Sequence, residues 1–149
     1  MKKRVIAAGL AAMMLAAPAF AMSSGGSSSS SKPDMSKAQK YADSGKYSQA
    51  VTDLKKVVKA DKKNADAWNL LGFSYRKMGK FDLAWDAYDH ALTLNPNHLG
   101  ANEYIGELYL QQGNIEKAKV QLSKLQALCP AGCKELAELT KQVQKATGS

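Results

Sequence analysis

The chain has 149 residues, 45% of them hydrophobic, with two cysteines and a formal net charge of +8. That length suits one domain, and two cysteines exclude a fold built on disulfides. Usage rich in Ala, Leu, Lys and Gln, and modest in β-branched residues, favours an all-α chain.

Lys2, Lys3 and Arg4 form a basic start, followed by an apolar stretch over Val5–Ala17. That stretch is shorter than the ~20 residues a membrane span requires. Pro18 breaks it, and Ala19-Phe20-Ala21 is an A-x-A cleavage pattern. Residues 1–21 therefore read as a secretory signal peptide cut before Met22, with an uncleaved anchor as the alternative. No cysteine lies near the cut, which argues against lipid anchoring. The expected location is the periplasm, with secretion as the alternative, and no stable membrane anchor remains after cleavage. Losing the leader takes the net charge from +8 to +5, because it holds no acid. A Ser/Gly tract opens residues 22–34; it cannot bury apolar surface and is expected to be a flexible linker.

Helices are predicted over about Met35–Ser44, Ser48–Ala60, Ala65–Met78 and Phe81–Leu94. In the third, Trp68, Leu71, Tyr75 and Met78 recur at helical spacing. Gly72 is a poor helix former in mid-helix and calls for a close neighbour. Ala84 is small too, so the two helix backbones are expected to meet there. Gly79 is expected to end the third helix in the left-handed region. Asp82 suits the start of the fourth helix, and Asn95 before Pro96 ends it.

Trp68, Leu71, Gly72 and Tyr75 stand at W-x2-L-G-x2-Y spacing, and Ala84, Tyr88 and Pro96 follow. This resembles the tetratricopeptide repeat, a helix–turn–helix unit of about 34 residues. Moved back by one repeat, the frame meets Ala38, Tyr41, Gly45, Tyr47, Ala50, Leu54 and Val57. Moved forward, it meets Gly106, Tyr109, Gly113, Ile115, Ala118, Leu122 and Pro130. The tryptophan column holds Asp34 in the first copy and Asn102 in the third, which are departures. The resemblance implies a right-handed α-solenoid of about three hairpins: a degenerate repeat over 35–64, then repeats over 65–98 and 99–132. No hairpin alone covers its apolar face, and stacking makes one continuous core.

One more helix is predicted over about Cys133–Ala146 within a closing segment, 133–149. Leu136, Leu139 and Val143 form its apolar stripe and the rest is polar, as a capping helix requires. Cys129 and Cys133 flank the turn before it. In an oxidising compartment they are expected to form a structural disulfide. The C-x3-C spacing is not that of a redox C-x2-C motif, and no further ligands make it a metal site. His90 and His98 are expected to be solvated polar side chains. Neither a metal nor any other cofactor is called for.

No nucleophile–base pair, paired carboxylates or phosphate-cradling glycine loop points to an enzyme. The resemblance implies instead a concave groove, lined by the first helices of successive repeats, that takes a protein or peptide partner. By repeat position its residues are Asn69, Phe73, Arg76 and Lys77, then Glu103, Glu107, Leu110 and Gln111, with Gln39 and Asp43 in the first copy. Phe73 is the expected anchor; the alternative folds it into the core of its own hairpin. The Lys/Asn clamp that some family members use for a terminal carboxylate does not reappear. Lys55, Lys56, Lys59, Lys62 and Lys63 crowd one helix end, which raises a second reading, a basic face for an anionic envelope component. Interleaved arginine and aromatic residues are absent there, so nucleic acid is not an expected partner. Nothing in the sequence indicates a homo-oligomer.

Overall fold

The computed structural model describes residues 34–148; the expected leader and the Ser/Gly tract lie outside them. Among the described residues the chain forms seven α-helices and no strand. They are α1 (Met35–Asp43), α2 (Tyr47–Ala60), α3 (Ala65–Lys77), α4 (Phe81–Leu94), α5 (Leu99–Gln111), α6 (Ile115–Leu128) and α7 (Lys134–Thr147). None is long and apolar enough to cross a membrane. The helices pair as hairpins, α1 with α2, α3 with α4 and α5 with α6. Each hairpin packs on the next, and α7 closes the row against α5 and α6. The fold is an all-α solenoid of helical hairpins.

The turn inside each hairpin is the same object made three times. Gly45, Gly79 and Gly113 take φ of 73°, 72° and 75°, the left-handed region that suits glycine. The next amide then reaches back to a tyrosine carbonyl: Lys46 to Tyr41 at 2.8 Å, Lys80 to Tyr75 at 2.9 Å and Asn114 to Tyr109 at 2.8 Å. The glycine amides bond Ala42, Arg76 and Leu110, which completes a Schellman motif at each corner. The tyrosine and glycine columns of the sequence are thus one device.

Four of the seven helix starts are capped by side chains, those of α1, α3, α5 and α6. Asp34 accepts the Ser36 amide at 2.9 Å, Asn64 the Ala67 amide at 2.9 Å, and Asn114 the Lys117 amide at 3.1 Å. His98 caps α5: its Nδ1 accepts the Ala101 amide at 3.2 Å, and its Nε2 lies 3.0 Å from Asp66 Oδ1. With Nδ1 accepting, the proton sits on Nε2 and points at the carboxylate. The side chain is only 11% exposed, so the expected solvated His98 is corrected to a capping residue that ties α5 to the start of α3. His90 is exposed, and its ring stacks on Trp68 at 4.3 Å.

The core runs through α1 to α5 on residues such as Leu54, Leu71, Tyr88 and Leu108. A second cluster joins α6 and α7 through Ala118, Leu125, Leu139 and Val143, with Tyr109 packed against both clusters. At Gly72 the close neighbour that the sequence called for is a side chain of α4. A Cβ on Gly72 would stand 2.6 Å from the Tyr88 ring, so the glycine makes room for an aromatic face. In the third hairpin the equivalent Gly106 faces Leu139 of α7. Asn102, where tryptophan stands one repeat earlier, is fully buried and braces the preceding turn by donating to the carbonyls of His98 and Pro96. A disulfide joins Cys129 and Cys133 with Cα atoms 6.0 Å apart, beside the start of α7.

Candidate functional site

A cavity of about 570 Å³ opens between α3, α5 and α7. Helix α3 supplies Phe73, Arg76 and Lys77, and α5 supplies Tyr104, Glu107, Leu110 and Gln111. Helix α7 supplies Glu138, Gln142, Lys145 and Ala146. Spacings of three and four residues put each group on one face of its helix.

Arg76 organises the floor. It is 5% exposed, and its Nη2 lies 2.5 Å from Glu107 Oε2. Its guanidinium stands 5.6 Å from the Phe73 ring centre and 5.4 Å from that of Tyr104. A planar, weakly hydrated cation between two rings and a carboxylate is compensated on several sides. Below it, burial pushes the Tyr88 phenol up, against the pull of Arg76. Burial, with the charges of Glu103 and Glu107, pushes Tyr104 up to about 12. Both phenols therefore stay neutral; Tyr104 lines the cavity, and Tyr88 is fully buried with its hydroxyl unpartnered.

Phe73 belongs to an aromatic chain. Its ring centre lies 5.9 Å from Tyr47, edge on, and 5.0 Å from Tyr104, which is itself 6.2 Å from Tyr88. Half-buried, it lines the cavity while packing against the core. Lys77 lies over its outer side at 5.9 Å.

The ten groove positions read from the sequence divide. Phe73, Arg76, Lys77, Glu107, Leu110 and Gln111 meet in this cavity, whereas Asn69 and Glu103 do not line it. Asn69 turns its amide towards Gly100, and its Oδ1 is buried without a hydrogen-bond partner. Glu103 is 6% exposed. Burial, then the charges of Glu107, Glu135 and Glu138, push its carboxyl up to about 8. It is neutral near pH 7, so the groove loses the second acid that the sequence placed beside Arg76 and Lys77. Gln39 and Asp43 bond each other at 2.8 Å on exposed α1 and take no part in the cavity.

Sequence reasoning missed Tyr104 and the whole α7 wall. A fourth application of the repeat frame would have found part of it, since it places Lys145 in the column of Lys77 and Gln111, and Leu139 in that of Leu71 and Ile105. Helix α7 is in effect another first helix. Away from the cavity lining, Lys55, Lys56, Lys59, Lys62 and Lys63 are all exposed, and Lys56 reaches Asp53 at 3.1 Å.

Models of the tetratricopeptide repeat match residues 65–98 and 101–131, and a further TPR repeat model matches residues 38–79. Among curated proteins, uncharacterized protein ycf37 of Guillardia theta is 38% identical over 55 residues, 37% of this chain and 31% of that protein. Superkiller complex protein 3 of Homo sapiens is 30% identical over 81 residues, 54% of this chain and 5% of that protein. The chain thus spans a small part of these relatives. Many solved structures share the fold, among them two peptide complexes. The Yersinia enterocolitica type III secretion chaperone SycD, in complex with a peptide of the translocator YopD, aligns with a TM-score of 0.65 at 25% identity, over 76% of this chain and 86% of that one. The first TPR of Spaghetti, bound to the HSP90 peptide SRMEEVD, aligns with a TM-score of 0.66 at 26% identity, over 77% of this chain and 90% of that one.

Proposed function

The chain belongs to the tetratricopeptide-repeat family through residues 38–131, and on that premise we propose that it is a protein-interaction module holding a segment of a partner in the cavity between α3, α5 and α7. The observation that carries this reading is the cavity itself. It has a rigid aromatic floor of Phe73 and Tyr104, a compensated Arg76–Glu107 pair and a polar rim. Concave sites of a few hundred Å3 with few, fixed polar groups are where ligands bind. SycD and Spaghetti, which share the fold, each hold a peptide. Family and fold are typical of interaction modules rather than of catalysts. From the leader-like residues 1–21 we infer that this scaffold or assembly adaptor works in the periplasm.

The test is position-specific photocrosslinking in intact cells. Lys77 and Gln111 are exposed on the cavity rim, whereas Arg76 is too buried to carry a crosslinker. A crosslinker at Lys77 or Gln111 is expected to capture the same protein, and one at Val120, which is 65% exposed and does not line the cavity, is expected to capture none of it. Equal capture from all three positions, or none, counts against the groove.

A second reading rests on the exposed lysines of α2 and the following turn. Lys55, Lys59, Lys62 and Lys63 have no ion-pair partner among the described residues. A basic face of this kind suits an anionic envelope component. Binding that collapses between ~0.05 and ~0.2 M salt and ignores cavity substitutions would favour it.

A further inference from the structure

We propose that α7 is half of the binding site, and that the occupant is a segment carrying an apolar side chain beside an acidic one. The apolar group rests on Phe73, Tyr104 and Leu110, and the side-chain carboxylate is held between Lys77 and Lys145. This rests on the groove reading above and says what chemistry the groove selects.

The charges within the cavity carry the argument. Glu107 is neutralised by Arg76 beneath the surface. Glu138 on α7 accepts the Gln142 amide at 2.8 Å, a neutral donor that cancels none of its charge. Glu103, buried nearby, keeps its proton near neutral pH and adds no charge. Arg76, Lys77 and Lys145 outnumber Glu107 and Glu138, so the lining keeps one cation in excess, with Lys77 on one wall and Lys145 on the other, both exposed. Neither has an ion-pair partner among the described residues. Gln111 stands on the helix between them and adds an amide able to donate to the same ligand. The three share one column of the repeat frame, on α3, α5 and α7. A carboxylate entering between two unpaired ammonium groups gains charge-assisted hydrogen bonds that a basic segment would forgo. The terminal-carboxylate clamp does not reappear in this chain, so the acid belongs to a side chain within the segment.

The test is selection of a random twelve-residue peptide display library on the full-length protein, run in parallel on the charge-reversed variant Lys77→Glu/Lys145→Glu. Both lysines are exposed, so the variant is expected to melt at the parent temperature, which is checked first. Peptides enriched on the parent are expected to place an apolar residue within a few positions of Asp or Glu. They should bind the variant at least tenfold more weakly, and selection on the variant should turn to Lys or Arg. Replacing Lys145 alone by Gln should weaken the winners severalfold, because the terminal helix supplies half of the clamp. Groove-bound winners without acids, or with basic residues, would overturn this proposal and leave the groove reading standing. Failure to enrich any peptide, or enrichment of peptides indifferent to Leu110→Arg, would overturn both.

Discussion

Leu139 of α7 occupies the space that a side chain on Gly106 of α5 would need: a Cβ at residue 106 would stand 2.5 Å from Leu139 Cδ2. Leu139 is itself fully buried, so its methyl groups have nowhere to swing. The terminal helix is seated on the last repeat by a missing methyl. The equivalent glycine one repeat earlier, Gly72, faces the stiffer ring of Tyr88. Overpacking costs about 1–3 kcal/mol, and alanine returns about 1 kcal/mol through helix propensity. Gly106→Ala is therefore expected to destabilise by roughly 0–2 kcal/mol, and Gly72→Ala by more, because a ring cannot fold aside. Urea denaturation of the two variants checks the order; a more stable Gly72→Ala protein would refute it.

Glu103 makes stability depend on pH with a definite sign. Its carboxyl titrates near 4.5 when unfolded and at about 8 when folded. The folded state thus holds a proton that the unfolded state has released, and stability falls as pH rises through that window. Below it the group contributes no pH dependence, and above it the loss is complete. Glu103→Gln, which stays neutral throughout, is expected to flatten the decline in melting temperature between about pH 5 and pH 8. Parallel melting profiles for parent and variant would show that the carboxyl is not held this way.

The Arg76–Glu107 pair is 4% and 16% exposed at its two side chains. Removing one member of such a pair leaves the other charge in a poor dielectric, at a cost of about 3–5 kcal/mol. Arg76→Met and Glu107→Gln are each expected to lower the denaturation midpoint sharply. The double variant should lose clearly less than the sum, and additivity would mean that the two groups do not depend on each other.

Cys129 and Cys133 close a short loop, four residues apart in sequence. The chain-entropy model assigns such a loop roughly 2 kcal/mol. Reduction is expected to lower stability by about that much or less, and to do so locally. In hydrogen exchange, amides of α7 should lose protection first while α3 and α4 stay unchanged. Uniform loss along the chain would contradict this placement of the bond.

Much of the fold was legible because three columns, tyrosine, glycine and alanine, recur in one frame and each has a single physical reason. The site was legible only where the frame was applied. Lys77 and Gln111 followed from repeat position, and Lys145 would have followed from one more step. Glu138, Gln142 and Ala146 did not, because a helix with no tryptophan and no internal glycine reads as a lid. Burial was the harder quantity. Asn102 and Glu103 are polar letters on α5, yet the neighbouring helices close over both, and periodicity alone says nothing about a cover supplied from another hairpin. His98 misled for the same reason. A lone turn histidine is usually wet, and its second partner, Asp66, comes from the preceding repeat.

The left-handed corners at Gly45, Gly79 and Gly113 set the terms on which the chain tolerates changes of length. Adding or removing a complete hairpin at one of them would leave every later helix aimed as before, so the trough can be lengthened without redesign. A single extra residue inside a helix would instead rotate everything downstream by about 100°, turning Lys77's column away from the solvent face it shares with Gln111. Natural variation in proteins built this way is thus expected to come in whole units, and an engineer seeking a longer recognition surface has three ready places to cut.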